Sequence, residues 1–139
     1  MNKQEVFDKI FAYALTMTKP AQGNGKCKYR SPNGPCLIGH LIPDELYNVE
    51  LDDIPTMATS QRMKSILIQA GCQVDVVESD LLISIQQVHD GLFIEDRHDL
   101  NRNGGPERSI ERAKTFNSRL VAGLVEIAKR EQLTVSRPL

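Results

Sequence analysis

The sequence predicts an α+β fold, mainly α, with about four helices around one core and a small β-hairpin after the first helix. Three observations carry that prediction. Apolar residues recur at three- and four-residue steps in several separate stretches. Caps and Gly or Pro stops bound those stretches. The segment that lacks the helical period, residues 26–42, holds two short runs around a turn sequence.

The first helix starts at a cap. Asn2 precedes it and Glu5 stands three residues on, the spacing of a capping box. Val6, Phe7, Ile10, Phe11, Ala14 and Leu15 then form one apolar stripe, and Pro20 with Gly23-Asn24-Gly25 ends it. Residues 27–30 and 36–38 flank Ser31-Pro32-Asn33-Gly34-Pro35, and this is the expected hairpin. Two strands alone are marginal in water, so the hairpin is expected to lie across the first helix.

Pro43-Asp44-Glu45 places proline and acids in a first helical turn, predicting a short helix through Tyr47. Residues 51–56 read as a connection. A helix is expected from about residue 59 or 60 to Ala70, with Met63, Ile66, Leu67 and Ala70 inward and Gly71 as its stop. Residues 73–77 read as a short strand. The next helix follows Ser79, with Leu81, Leu82, Ile85 and Val88 inward and Gly91 closing it. Residues 95–105, polar and rich in Asn and Gly, are expected to form a surface loop. Pro106 opens the longest helix, to about Leu133, with Ile110, Ala113, Phe116, Leu120, Leu124 and Ile127 on one face. Residues 1–139 are expected to form one domain, with 134–139 a loose tail.

Composition narrows the function classes. The chain has 139 residues, 40% of them hydrophobic, enough for a core without disulfides or metal. Its 17 basic and 18 acidic residues leave a net charge of −1, which gives no general pull toward nucleic acid or an anionic membrane. No run approaches the roughly 18 apolar residues of a membrane span, and the N-terminal residues lack a secretory pattern. The three cysteines, Cys27, Cys36 and Cys72, suggest no disulfide framework, so the cytoplasm is the expected compartment.

Four constellations invite chemistry. Cys27, Cys36, His40 and His89 offer the thiolate and imidazole ligands that suit tetrahedral zinc, which would staple the hairpin to a helix. Their spacing lacks both C-x-x-C and H-x-x-x-H, so the balance favours thiols packed as small hydrophobes, a half-buried His89 and no cofactor. Asp99-x-Asn101-x-Asn103-Gly104 matches the first half of a calcium loop, but its twelfth position is Ile110 instead of glutamate. Gly23-x-Gly25-Lys26 fails as a phosphate loop, since Pro20 and Cys27 stand where glycine and Ser or Thr are needed. Arg97, Arg102, Arg108, Arg112, Lys114 and Arg119 cluster in sequence, but Glu95, Asp96, Asp99, Glu107 and Glu111 largely cancel their field.

One block has a further meaning. Cys27-x-Tyr29-Arg30, then Gly34-x-Cys36-x-Ile38-Gly39-His40-Leu41-Ile42-Pro43-Asp44-Glu45-x-Tyr47, resembles a family of small uncharacterised bacteriophage and prophage proteins. The resemblance extends to a later Leu82-x-x-x-Gln86-x-x-His89-Asp90 segment and covers roughly residues 2–47 and 80–90. It implies origin more than activity, and a host cytoplasm as the setting. The chain departs from the shorter members in having no tryptophan, a 95–105 loop and a long last helix.

Small phage proteins often act by binding a host protein, which needs a surface and no catalytic group. The leading expectation is therefore an interaction or inhibitor module directed at a host or antiviral-defence protein. Arg97, Arg102 and Asn103, with Tyr29 and Arg30, are its expected surface. The alternative is a protein holding a small anion or nucleotide-like ligand among Tyr29, Arg30, His40 and His89. An enzyme using Cys27 or Cys36 with His40 or His89 ranks third, because no motif supplies an oxyanion site. Apolar residues of the long helix are equally compatible with a homodimer.

Overall fold

The computed structural model describes residues 1–17, 22–23, 26–27, 36–47, 61–89 and 109–135, with side chains for all but 22–23, 26–27 and 109–115. Helix α1 spans Lys3–Ala14 and begins with the full capping box: Asn2 Oδ1 accepts from Glu5 N at 2.9 Å, and Glu5 Oε1 accepts from Asn2 N at 3.1 Å. Its stripe of Val6, Phe7, Ile10, Phe11 and Ala14 is buried. Helix α2 spans Gln61–Gln69, α3 spans Val74–Glu78, α4 covers residues 81–89, and α5 spans Ser109–Arg130.

The expected hairpin is not there, and the described fold is α. Residues 36–38, read as its second strand, form a turn that runs into a 3-10 helix at Gly39–Leu41. Extended pairing among the described residues is confined to Gln22–Gly23 against Lys26–Cys27, two residues each and no sheet layer. The physical reason lies in the run itself. Cys36, Leu37, Ile38, Gly39, Leu41 and Ile42 are all buried, and a continuous apolar run does not distinguish a buried strand from a buried turn. The first expected strand, residues 27–30, lies outside the described residues beyond Cys27.

A second correction concerns residues 73–77, which belong to a helix and not to a strand. Gly71, at φ +109°, closes α2 with a Schellman motif: Cys72 N donates to Leu67 O at 3.0 Å and Gly71 N to Ile68 O at 3.0 Å. The chain reverses there, and α3 returns with Val76 and Val77 inward and Val74 outward. Burial has overridden the strand preference of three valines. The short helix after Pro43 is a 3-10 turn at Asp44–Leu46, as its acidic first turn suggests.

These elements share one buried cluster, to which α1, the 36–42 segment and α2 to α5 all contribute. Each fully buried Leu, Ile or Phe adds about 1.5–3 kcal/mol relative to exposure. The two ends of the described chain are tied across it. Lys3 Nζ pairs with Glu131 at 3.2 Å, while Gln4 accepts from Thr134 N at 2.9 Å and donates to Thr134 O at 3.0 Å. Asn117 Nδ2, on α5, donates to the carbonyls of Ala14 (2.9 Å) and Met17 (2.8 Å) and so caps the C-terminal end of α1. Among the described residues, no helix is long and apolar enough to cross a membrane.

Candidate functional site

Two places collect residues able to act on something else. The first lies at the C-terminal end of α1, where Tyr13, Cys36 and His40 meet. Cys36 opens the turn before the first 3-10 helix. Its carbonyl accepts from His40 N at 2.9 Å, and its Sγ accepts from Gly39 N at 3.3 Å. Sulfur thus takes the place that an oxygen of Ser or Asp takes at a helix N-cap. The side chain is buried, so this thiol is structural in its surroundings.

His40 leaves the same turn toward the surface and stacks on Tyr13, with centroids 4.2 Å apart and rings 11° from parallel. Burial, and then the neighbouring Cys36, push the Tyr13 phenol above its ordinary range. Tyr13 is therefore a neutral phenol at physiological pH, able to hydrogen-bond but not to act as a base. A half-buried stack of phenol and imidazole offers an aromatic face. Tyr13 is unmarked along the chain, because at helical spacing it looks like one more boundary residue of the α1 stripe.

His89 stands apart from this cluster in its surroundings. It is fully buried in α4, not half-buried as its position suggested, and meets Phe116 edge-on at 6.5 Å and 88°. Among the described residues, no group of three His, Cys, Asp or Glu side chains is arranged to hold a metal ion. Cys36, His40 and His89 are thus not gathered into one ligand set. The Cys27 side chain lies outside the described residues, as do Tyr29, Arg30, Arg97, Arg102, Asn103 and the Asp99–Gly104 motif. Cys72 is buried beside the start of the chain. Burial raises its thiol, outweighing the N-terminal ammonium and Lys9, which act to lower it.

The second place is the corner where α2, α3 and α4 meet. A cleft of about 190 Å³ opens there, with Leu67 and Leu82 in its floor and Lys64, Glu78, Asp80 and Ile83 around it. Lys64 Nζ and a Glu78 carboxylate oxygen pair across it at 3.2 Å. One helical turn from each partner stand the two exposed large hydrophobic residues among those described: Ile68, four after Lys64, and Val74, four before Glu78. Residues four apart share a helix face. Because α3 runs back against α2, the apolar pair falls on the same side as the ion pair.

Compared with known proteins, the chain matches no family model, no curated protein and no solved structure. What bears on function is therefore the chemistry of these two places.

Proposed function

We propose that this chain is a phage-type accessory protein that acts by binding, as an interaction or inhibitor module directed at a host or antiviral-defence protein in the cytoplasm. The observation that carries the reading is the exposed apolar pair on α2 and α3. Ile68 is 40% and Val74 58% exposed, although the core beneath them is closed to a few per cent. Single exposed hydrophobes are ordinary; two that each stand one helical turn from the Lys64–Glu78 pair support reading this side as an interaction surface with a small apolar centre and a polar rim. The Cys-Tyr-Arg to Pro-Asp-Glu block supports the phage setting.

The alternative pocket of Tyr29, Arg30, His40 and His89 is less favoured, because a fully buried His89 has no surface to give a ligand arriving from solvent. The test is genetic and uses two surface changes. The protein is expressed in bacteria with and without an antiviral-defence system, and growth and phage plating are scored. The expected result is a change in growth or plating that the Ile68→Ser, Val74→Ser double variant loses while keeping its circular dichroism. No phenotype in any strain, or one that the folded variant retains, would sink the proposal.

A further inference from the structure

We draw no further inference here: the strongest candidate, the exposed apolar patch of Ile68 on α2 and Val74 on α3, belongs to the surface already described, and nothing in the structure shows what covers it.

Discussion

At the scale of single residues, the two Schellman turns make a natural comparison. Gly71 closes α2 at φ +109°, and Gln132 closes α5 at φ 58°, with Leu133 N donating to Ala128 O at 2.8 Å. A glycine at such a position is readable in a sequence; a glutamine is not. That is why α5 ends at Arg130 and not near Leu133. A left-handed conformation costs a non-glycine residue roughly 1–2 kcal/mol, partly offset by the unfolded-state freedom that glycine adds. Gln132→Gly is expected to stabilise the protein by about 0.5–1 kcal/mol, and Gly71→Ala to destabilise it by about 1 kcal/mol. Urea denaturation of the two variants checks both. Equal and opposite signs to these would mean that the turns are held by other contacts. Tyr13 and Asn117 belong to this scale too. Both lie where a helical period is silent, and their roles come from partners far along the chain.

At the scale of elements, the contact between α4 and α5 depends on a missing side chain. A Cβ placed on Gly123 would lie 2.6 Å from Val88 Cγ1, closer than real contacts allow. Val88 is branched at Cβ and has little freedom to move aside. Gly123→Ala is therefore expected to cost about 1–3 kcal/mol, despite the better helix propensity of alanine. Val88→Ala in the same chain should recover much of the loss, a coupling that a double-mutant cycle measures. Additive effects would show that the helices part without strain. The same scale holds the fold correction. Residues 36–38 and 73–77 are rich in residues that favour strands, yet both are helical or turn because each is short and packed against α-helices. Short apolar runs carry too little period to tell these cases apart.

At the scale of the whole molecule, alkaline stability reports on a buried thiol and a half-buried phenol. The Cys72 thiol is raised from its ordinary 9.0, mainly by burial, and the Tyr13 phenol from 10.0, by burial and Cys36. In each case the folded state favours the neutral form. The stability this confers is full below the ordinary value and is lost as pH rises through the higher folded value. The urea midpoint is therefore expected to stay level with respect to these groups at neutral pH and to fall above pH 9.0, then more steeply above 10.0. Cys72→Ala should remove the first part of that decline and Tyr13→Phe the second. A midpoint whose alkaline slope is the same in both variants would show that neither group controls it.

The sequence makes four of the described helices legible, α1, α2, α4 and α5, but reads the residues of α3 as a strand. Capping box, apolar stripes and the Gly71 stop are local signals, and each fixes an element through contacts within a few residues. It also named Cys36 and His40 as residues of interest. The tertiary structure alone decided what those residues meet. Cys36 caps a turn, His40 stacks on Tyr13, and His89 faces Phe116, because packing brings together side chains that no spacing rule relates. The corner with Ile68 and Val74 shows the same division. Each residue looks unremarkable along its own helix, and only the reversal at Gly71 sets the two beside one cleft, where burial of the surrounding leucines leaves them facing solvent.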